Sequence, residues 1–596
     1  MMKKPFVALD FAPAKVDVTP LDGNGMILRC PTPLEDYPDS LSVLLRHWAA
    51  EKPDVVFLAE QSVEGNWRKV TYAEALKRTE SIAQELLNRG HDTTTPVMVL
   101  SDNGVDHGLL SMACMMVGIP VVPVSPAYSL MSADHAKLKH IFDLIRPKSL
   151  FIAIGTPFSQ ALAALDLDGV DVICSSQPPD GTKSIAFEEY QSTPTDNVRN
   201  AEALVGPDSV AKILFTSGST GMPKGVINTQ RMLCSNQQAI VQAWPFLEKK
   251  PPVIIDWLPW SHTFGGNHNF NMVLRNGGSL YIDNGKPAPG LIEKTVANLG
   301  SLSSTIHFNV PRGLDMILPH LESDLVLRET FFKKLDMIFY AGAALPQSIW
   351  ERLEKLSIDT RGERTRLVSA WGSTETAPMV TTVHFDLERA GVIGLPCAGS
   401  ELKMVPNGDK LELRIKGPNV TPGYWKAPEL TSTAFDEDGY YMIGDAGKLA
   451  DPNDPTKGVE FDGRVAEDFK LTSGTWVSVG TLRVTAIAAA SPAIQDAVVT
   501  GHDRNEIGLL VFLNPTFSGE ASTHIRTGLQ AHNAANPGSS KRIGRVMLMS
   551  EPPSIDLGEI TDKGYLNQRA ILDRRSSLVE ALYGNGNDVI VIDETS

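Results

Sequence analysis

The sequence predicts an α/β protein in which a large N-terminal domain, with mixed sheets flanked by helices, is followed by a small α+β domain. Its 596 residues are more than one hydrophobic core usually organises. Strand-like apolar runs alternate with helical patterns over most of the chain, which is typical of an α/β architecture. We therefore expect one domain over residues 1–464 and a second over residues 465–596.

Segments of the N-terminal part support this fold class. VVPVSPAY at 121–128 has the pattern of a buried strand that ends in a turn, and LKHIFDLI at 138–145 that of a helix ending before Pro147. Residues 175–209 are polar and rich in Pro, Asp, Thr and Asn, so we expect a surface connection between two subdomains.

The chain beyond Arg464 has strand and helix candidates of its own. DAVVTG at 496–501 and IGLLVFL at 507–513 predict two strands, and residues 521–531 predict a helix. We expect these elements to form the small domain, joined to the large one by a short hinge.

Composition and charge narrow the classes of function. The chain is 42% hydrophobic, 21% charged and 7% aromatic, which is typical of a globular protein. Its formal net charge of −16 argues against a general nucleic-acid-binding protein, which needs basic surfaces to neutralise phosphate. An anionic substrate must then be met by a few local cations.

Cysteine spacing and apolar segments predict a cytoplasmic protein that binds no membrane. The five cysteines form no CxxC pair, so neither a zinc site nor a disulfide framework is expected. The first 17 residues lack the apolar region of a signal peptide. The longest apolar stretch, residues 109–124, is interrupted by Gly118 and Pro120 and is shorter than the roughly 20 residues of a membrane span.

A loop rich in glycine and hydroxyl groups, TSGSTGMPKG at 216–225, follows the apolar run 213–215. Its glycines let backbone N–H groups turn inward as an anion nest, its hydroxyls can donate to phosphate oxygens, and Lys224 supplies a charge. A Walker phosphate loop requires Gly before its lysine and Ser or Thr after it, but Pro223 and Gly225 occupy those places. The loop therefore predicts phosphate binding of another kind.

Three further segments repeat the arrangement of an apolar strand followed by a small or polar turn. They are VIIDWL into PWSHTFGG (253–266), LDMIFY into AGAALP (335–346) and RLVSA into WGSTET (366–376). Ligands of open α/β sheets bind at the carboxyl ends of strands, so we expect four loops to converge on one site. After the 216–225 loop we expect a helix with one apolar face formed by Leu233, Ile240 and Trp244.

The 216–225 string closely resembles the phosphate loop of the adenylate-forming superfamily, which includes acyl-CoA synthetases, peptide-synthetase adenylation domains and luciferases. Four later segments resemble further signatures of that superfamily, in its order. WGSTET (371–376) resembles the second signature, YMIGDAG (441–447) the ribose-binding strand, FDGR (461–464) the segment before the hinge and GEITDKGYLNQR (558–569) the C-terminal lysine motif.

This resemblance implies an enzyme that uses ATP and Mg²⁺ to convert a carboxylic acid to an acyl-adenylate, which then reacts with coenzyme A. It implies catalytic roles for Lys563, Glu375, Thr374 and His262. The nucleotide- and cofactor-binding residues that it implies are Thr216, Ser217, Gly218, Ser219, Thr220, Gly221, Lys224, Trp371, Gly372, Asp445, Arg464 and Gly474.

These residue types suit the chemistry. Glu375 is a lone acid in a Ser/Thr turn, suited with Thr216 to bind Mg²⁺, an ion that prefers oxygen ligands. Asp445 can accept hydrogen bonds from both ribose hydroxyls, and Arg464 can bridge ribose and phosphate. Trp371 offers a flat face for adenine, with a core aromatic residue as the alternative interpretation.

Lys563 is implied to drive the first half-reaction, because a flexible ammonium can neutralise both the carboxylate and the α-phosphate. In this family the small domain is mobile, and it rotates about the hinge after the first half-reaction. Another face, here residues 470–476, is implied to line a tunnel for the pantetheine thiol.

The hinge region departs from the usual pattern of the family. Ala466 stands where Asp or Lys is usual, and Val479 and Thr481 stand where Pro and Glu are usual, which puts the usual second-half contacts in doubt. The segment SGTWVSVG (473–480), which begins two residues after EDFKL (467–471) ends, resembles the feruloyl-CoA synthetase branch of the family. The N-terminal region through Pro38 resembles the same branch. The acid implied is an aromatic hydroxycinnamate such as ferulate.

The acyl group is implied to lie between the His262 loop and the turn after residue 340. The residues expected to border it are Phe264, His268, Tyr340, Gly342, Ala343 and Met379. His268 could bond a ring hydroxyl, or both histidines could simply be satisfied polar residues, and an alkyl tunnel is a further alternative.

Three other functions remain open from the sequence. They are a ligase for fatty or benzoic acids, an adenylating enzyme that loads a separate carrier, and a nucleotide-binding protein without catalysis. The products formed with and without coenzyme A distinguish them.

Overall fold

The computed structural model describes residues 4–62, 65–217, 221–515, 517–562, 564–584, 586 and 588–592. It confirms the predicted mixed α/β fold, with helices packed on five sheets in the described part of the chain. The strands and helices have the following bounds.

The strands are β1 (Asp17–Pro20), β2 (Met26–Arg29), β3 (Val56–Gln61), β4 (Trp67–Thr71), β5 (Val97–Val99), β6 (Val121–Pro123), β7 (Ser149–Ile154), β8 (Asp171–Ser176), β9 (Ile185–Ala186), β10 (Val210–Ser217), β11 (Pro223–Thr229), β12 (Val253–Asp256), β13 (Ser279–Ile282), β14 (Ile306–Asn309), β15 (Met337–Tyr340), β16 (Arg366–Gly372), β17 (Met379–Thr382), β18 (Val392–Pro396), β19 (Glu401–Asn407), β20 (Lys410–Lys416), β21 (Tyr441–Leu449), β22 (Val459–Arg464), β23 (Phe469–Lys470), β24 (Trp476–Val477), β25 (Ile494–Thr500), β26 (Ile507–Leu513), β27 (Ile543–Leu548) and β28 (Val589–Val591).

The α-helices are α1 (Leu41–Glu51), α2 (Tyr72–Asn88), α3 (Val105–Met116), α4 (Ala127–Leu130), α5 (Ala136–Ile145), α6 (Ser159–Ala163), α7 (Asp196–Glu202), α8 (Gln230–Ala243), α9 (Phe246–Lys249), α10 (Phe270–Arg275), α11 (Ile292–Ser301), α12 (Pro311–Ser323), α13 (Leu325–Phe332), α14 (Gln347–Arg361), α15 (Pro428–Ser432), α16 (Val479–Ala489), α17 (Ala521–Ala535), α18 (Gln568–Arg574) and α19 (Ser576–Leu582).

Three sheets form the large N-terminal part. The first has eleven strands in the order β1-β2-β19-β20-β21-β22-β18-β17-β16-β15-β14, the second has seven in the order β11-β10-β6-β5-β7-β8-β9, and the third has four in the order β12-β13-β3-β4. One apolar cluster joins all three sheets through β5, β13 and β15, and it encloses α3 completely. This shared core fixes the sheets relative to one another.

The C-terminal part has a separate core. Its sheet has the order β25-β26-β27-β28, and its main apolar cluster contains only residues from Phe469 to Ile592. The strands expected at 496–501 and 507–513 are confirmed as β25 and β26, and the helix expected at 521–531 is α17. Because the two parts have separate cores, we propose that the chain divides into two domains after Arg464, where β22 ends.

The helix expected after the phosphate loop is α8, but β11, antiparallel to β10, precedes it. One expectation about the large domain is wrong. Residues 175–209 are not a linker between subdomains, because β9 extends the seven-stranded sheet and α7, capped by Thr195, follows it. Their polar composition reflects an exposed sheet edge.

The four strand-to-turn segments lie in three different sheets. The strand before the phosphate loop belongs to the seven-stranded sheet, β12 to the four-stranded sheet, and β15 and β16 to the eleven-stranded sheet. Their loops are brought near one another by packing between sheets, and not by the switch point of one open sheet. Leu233 and Ile240 of α8 are completely buried, as is Trp244 directly after the helix. Most other residues of α8 are buried too, so burial is not confined to the one apolar face that was expected.

Candidate active site

The phosphate-loop segment is the connection of a β-hairpin. Thr216 near the end of β10 lies opposite Lys224 near the start of β11. Gly218, Ser219 and Thr220 lie outside the described residues, and Ser217 is described only as the last residue of β10. Gly221 has a φ of +87°, which glycine adopts readily. The hairpin thus places a hydroxyl and an ammonium side by side at the mouth of the loop.

Lys224, Tyr424 and Glu375 form a polar cluster beside this hairpin. The Lys224 ammonium donates to the Tyr424 hydroxyl at 2.7 Å, and that hydroxyl donates to Glu375 Oε1 at 3.1 Å. Lys224 Nζ also lies 3.4 Å from Glu375 Oε1. Tyr424 therefore orients the cation and the carboxylate together, through a hydroxyl that accepts from one and donates to the other.

Glu375 is buried yet held ionised. Burial by itself would raise the pKa of this carboxyl, but the charge of Lys224 and hydrogen bonds, including one from Tyr424, outweigh burial and lower the pKa below its ordinary value. Its neighbour Thr374 is also buried, and both residues lie in a single helical turn from Thr374 to Thr376. A charged carboxylate is thus fixed next to the phosphate loop.

These oxygen atoms fit a magnesium ion. Mg²⁺ binds through one or two carboxylates together with substrate phosphates and water. Glu375 supplies one ionised carboxylate, and Thr216 Oγ1 is buried with no hydrogen-bond partner among the residues that the structure describes. The same residues contain no cluster of three or more His, Cys, Asp or Glu side chains that could hold a metal without such phosphates.

Asp445 lies on β21 directly opposite Arg464 on β22. Its Oδ2 accepts the indole N–H of Trp371 at 2.9 Å, and its Oδ1 lies 3.2 Å from Arg464 Nε. Burial raises the pKa of Asp445, while Arg464 and Trp371 act in the opposite direction. Asp445 and Arg464, the two residues expected at the ribose, are therefore brought together, and Trp371 lies beside them.

Trp371 has a different setting from the one expected of an adenine-stacking residue. Its side chain is buried among the apolar residues of β2, β19 and β20, so its placement favours the alternative of a core aromatic residue that orients Asp445. Gly372 is needed for close packing, because a Cβ there would lie 1.7 Å from the carbonyl oxygen of Pro378.

His268 is surrounded by aromatic rings. It stacks on Phe339 at a centroid distance of 5.1 Å and meets the edges of Phe308, Phe264 and Trp244 at 5.6, 5.9 and 6.0 Å. Its Nδ1 lies 2.8 Å from Asn269 Oδ1. Within the described part of the chain, its Nε2 is buried without a hydrogen-bond partner.

The protonation state of His268 follows from these contacts. Burial lowers its pKa to about 4, so the ring is neutral at pH 7. Asn269 Nδ2 donates to Asp256 Oδ2 at 2.8 Å, which leaves Asn269 Oδ1 to accept the N–H of His268 Nδ1. The buried Nε2 is therefore a hydrogen-bond acceptor.

Tyr340 and Met379 lie on different sides of the β15 region. Residues alternate across a strand, so Phe339 faces the His268 cluster while Tyr340 faces the opposite side and packs against Trp350. The position of Tyr340 therefore does not support the expectation that it borders the acyl group. Met379 is buried in the same cluster as Phe339.

The small domain is docked against loops of the large domain. His262 Nε2 lies 3.1 Å from Asp562 Oδ2, and the Tyr565 hydroxyl approaches Gly342. Ala343, next to Gly342, is exposed. Lys563 lies outside the described residues. A narrow crevice between the two domains is lined by Tyr128, Lys137, Gly221, Gly558, Ile560, Thr561 and Asn567.

Gly474 is not part of this crevice in the present arrangement. It lies in the exposed turn between β23 and β24, with a φ of +82°, and a Cβ there would meet nothing within 4 Å. Trp476 of the same hairpin is 40% exposed and lies beside Gly408, in the turn between β19 and β20.

Three contributors were missed by the sequence reasoning. Tyr424, Phe339 and Asp562 complete the polar cluster, the aromatic cluster and the domain contact, respectively. Asp562 directly precedes Lys563 in the lysine motif, and that position is the signal in the sequence that indicates it. Strand alternation could have selected Phe339 over Tyr340. No spacing in the sequence indicates Tyr424, which is 49 residues from Glu375.

Comparison with known proteins identifies the family. Residues 45–425 match the family model described as AMP-binding enzyme, and residues 481–587 match that of the AMP-binding enzyme C-terminal domain. The chain belongs to the AMP-binding enzyme family. The second match lies within the part of the chain that has its own core.

Curated relatives of this AMP-binding enzyme are distant. It is 22% identical over 614 residues to the long-chain-fatty-acid–CoA ligase FadD15 of Mycobacterium bovis, covering 91% of this chain and 97% of that protein. It is 24% identical over 625 residues to the carboxylic acid reductase of Segniliparus rugosus and 26% identical over 521 residues to the probable non-canonical nonribosomal peptide synthetase CymA of Salinispora arenicola. It spans only 49% and 6% of those two proteins.

Solved structures share its fold. ATP-bound MatB from Rhodopseudomonas palustris superposes with a TM-score of 0.66 at 22% identity, covering 90% of this chain and 99% of that one. The A domain of the carboxylic acid reductase from Segniliparus rugosus, in complex with AMP and a co-purified carboxylic acid, gives a TM-score of 0.69 at 21% identity, covering 91% and 94%. Among the described residues, none of the helices is long and apolar enough to cross a membrane.

Proposed function

We propose that this AMP-binding enzyme is an ATP-dependent acid–thiol ligase that makes an acyl-CoA through an acyl-adenylate. The observation that carries the proposal is that one crevice is lined both by Gly221 of the phosphate-loop segment and by Gly558, Ile560 and Thr561 of the loop that includes Asp562. Lys224 of the same phosphate-loop segment pairs with Glu375, and Asp562 pairs with His262. An adenylyl transfer followed by an acyl transfer requires a cation near the phosphates, an ionised carboxylate and a domain that can change its orientation.

In the first step, a carboxylate oxygen of the acid attacks the α-phosphorus of ATP, and the bond to the bridging oxygen breaks to release pyrophosphate. The barrier comes from bringing two anions together. Lys224 and the backbone of the 216–221 segment would hold the phosphates, and Asp445 with Arg464 would hold the ribose. Lys563 would neutralise the acid and the α-phosphate at the point of attack.

Glu375 and Thr216 would hold Mg²⁺ against the phosphates, and Thr374 would donate to the α-phosphate. When bound, the ion supplies charge neutralisation at the phosphate oxygens. The Tyr424 hydroxyl bonds to both Lys224 and Glu375 and so fixes the geometry of their ion pair.

In the second step, the thiol of coenzyme A attacks the carbonyl carbon of the acyl-adenylate, and AMP leaves. The small domain would first turn so that the β23–β24 hairpin, with Gly474 and Trp476, faces the crevice. The present exposure of that hairpin supports a role in another arrangement of the domains.

We propose a hydroxycinnamate such as ferulate as the acid. The aromatic rings of Phe264, Phe308 and Phe339 can enclose a flat ring, and the buried His268 Nε2 is an acceptor without a partner in the described chain. A phenolic hydroxyl would donate to it. A buried acceptor left unpaired is costly, so it favours a substrate that carries this donor.

A fatty-acid CoA ligase is the second candidate. It is favoured by the similarity to FadD15 over nearly the whole of both chains. An alkyl chain would fit an apolar pocket but would leave His268 Nε2 unpaired. A carrier-loading enzyme is the third candidate, favoured by the similarity to the carboxylic acid reductase and CymA.

A substrate panel tests these proposals. Ferulate, p-coumarate, caffeate, cinnamate, benzoate, octanoate and palmitate are supplied with ATP, Mg²⁺ and coenzyme A, and both AMP and thioester are measured. We expect kcat/KM for p-coumarate to exceed that for cinnamate by about 10-fold or more, because only p-coumarate has the ring hydroxyl.

Three outcomes would contradict parts of the proposal. Faster turnover of octanoate or palmitate than of ferulate would favour the fatty-acid ligase. Pyrophosphate exchange without any thioester would favour a carrier-loading enzyme. Absence of acid-dependent AMP with all acids would leave a nucleotide-binding protein. His268→Leu should reduce the preference for p-coumarate over cinnamate.

A further inference from the structure

The loop that contains Asp562 is anchored to the large domain by contacts that precede it. Asp556 accepts a hydrogen bond from Ser132 Oγ at 2.6 Å, and Lys137 Nζ donates to the carbonyl oxygen of Ile555 at 2.5 Å. The Ile555 side chain packs into the apolar cluster of the seven-stranded sheet. These contacts hold the loop against residues 127–145 of the large domain, next to the position of Asp562.

Asp562 itself is an acidic side chain buried at the domain boundary. Its side chain is only 4% exposed, and its Oδ2 lies 3.1 Å from His262 Nε2, on a side chain that is 11% exposed. Burial, and then the charge of Asp562, raise the pKa of Tyr128. Burial lowers the pKa of Lys137, and Asp562 acts against that shift. Three side chains of the large domain thus surround one carboxylate of the small domain.

This arrangement favours one orientation of the two domains. A buried carboxylate is stable only when charged or hydrogen-bonding groups compensate the loss of water. His262, Tyr128 and Lys137 provide that compensation only while the small domain is docked. When it turns away, Asp562 returns to water and the pairing is lost.

The pair also connects two parts of the proposed reaction. His262 lies two residues before the π-helical segment Phe264–Asn269, which contains His268 and one of the rings that contact it, Phe264. Asp562 precedes Lys563 in the chain. The contact therefore links the segment that borders the acyl group to the loop of the lysine motif.

We propose that Asp562 and His262 form a latch that holds the small domain in the orientation for acyl-adenylate formation and opens for thioester formation. The latch rests on the proposed function. Asp562 is a positioning residue in it, because it acts through the loop and not on the reacting atoms. Release of the latch also frees the His262 side chain at the acyl end of the crevice.

The test uses the full-length chain with Asp562→Asn, which keeps the shape of the side chain and removes its charge. The two half-reactions are measured separately, as acid-dependent ATP–pyrophosphate exchange and as thioester formation from pre-made acyl-adenylate and coenzyme A. We expect exchange to fall by about tenfold or more and thioester formation to be retained or to increase. Asp562→Glu, which keeps the charge, should restore part of the exchange.

Asp573→Asn is the matched control. Asp573 lies in the same domain, its side chain is 72% exposed and it pairs with Arg569 at 3.8 Å. Neither half-reaction should change in this variant. Because Asp562 and His262 share one interaction, the double variant Asp562→Asn/His262→Asn should lose no more exchange than the worse single variant.

Hydrogen exchange measures docking without any substrate. Amides of residues 127–145, which receive the loop, should exchange faster in Asp562→Asn than in the unmodified protein and Asp573→Asn. Unchanged exchange there, equal losses in both half-reactions, or additive losses in the double variant would each overturn the latch. If the unmodified protein makes no AMP with any acid, the proposed function fails, and hydrogen exchange still decides the latch.

Discussion

The hydroxyl of Tyr565 in the small domain lies 2.6 Å from the position that a Cβ atom on Gly342 of the large domain would occupy. Gly342 follows β15 and has a φ of +86°. The absence of a side chain there serves the backbone conformation and also leaves space for Tyr565. The turn after β15 is therefore shaped to receive the small domain.

Gly342→Ala should disturb docking. The methyl group would collide with Tyr565, so we expect ATP–pyrophosphate exchange to fall by about tenfold or more. Gly362→Ala is the control: its φ is +78°, and a Cβ there would meet nothing within 4 Å. Both variants should lose about 1 kcal/mol of stability through backbone strain. Equal exchange in the two variants would contradict this account.

Tyr424→Phe should uncouple Lys224 from Glu375. It removes a hydroxyl that bonds to both side chains, so we expect a loss of about 1–2 kcal/mol in the free energy of unfolding and a roughly tenfold fall in exchange. Tyr440→Phe is the matched control, because the Tyr440 hydroxyl also donates to a carboxylate, that of Glu401. It should lose similar stability and retain exchange. A similar fall in exchange for both would contradict the role given to Tyr424.

Lys563→Ala should suppress adenylate formation selectively. Removal of one positioned cation from a charge-stabilising site lowers rates by about 10²–10³-fold. Exchange should show this loss, while thioester formation from pre-made adenylate should be spared because the proposed role of Lys563 ends with the first step. Lys541→Ala, at an exposed position of the same domain, is the control. Loss of both steps in Lys563→Ala would contradict the division of labour.

Three buried histidines should make the protein sensitive to acid. Burial lowers the pKa values of His107, His268 and His307 to about 4, against about 6.5 in an unfolded chain. Between these values the unfolded chain binds protons that the folded chain does not, so stability is complete above about pH 6.5 and falls as the pH drops toward 4. Each group contributes on the order of 3 kcal/mol at most.

Denaturant unfolding at several pH values checks this expectation. His268→Leu removes one of the three histidines. Between about pH 4 and 6.5, the part of the slope of unfolding free energy against pH that comes from these histidines should therefore fall by about a third. His502→Leu, at a side chain that is 73% exposed, should leave the slope unchanged. An unchanged slope in His268→Leu would mean that its buried ring does not titrate as described.

Local sequence patterns predicted much of the fold. The runs at 496–501 and 507–513 are strands because β-branched and large apolar residues fit buried sheet positions wherever the chain places them. The polar stretch 175–209 has the composition of a linker but contains β9 at the edge of the seven-stranded sheet, because exposed sheet edges and linkers have similar compositions. Likewise, the short run 223–229 became a strand because β10 was available as a partner.

The candidate site shows the same division. Lys224, Glu375, Asp445 and Arg464 could be selected from ordered motifs, and the fold brings them together in two ion pairs, Lys224 with Glu375 and Arg464 with Asp445. Tyr424 and Tyr128 carry no local signal, since their importance depends on contacts with residues far away in the chain. Trp371 had two interpretations, and only its burial distinguished them.

The sequence by itself determined the family, the order of its chemical groups and the mixed α/β class, because these depend on residue type and spacing along the chain. Only the tertiary structure decided which side of β15 faces the aromatic cluster and that Asp562 meets His262. It also decided that Gly221, His262 and Gly342, in loops that follow strands of three different sheets, all lie beside residues 558–567. These are contacts between residues far apart in the chain. They follow from packing and from the compensation of buried charge, which no local pattern records.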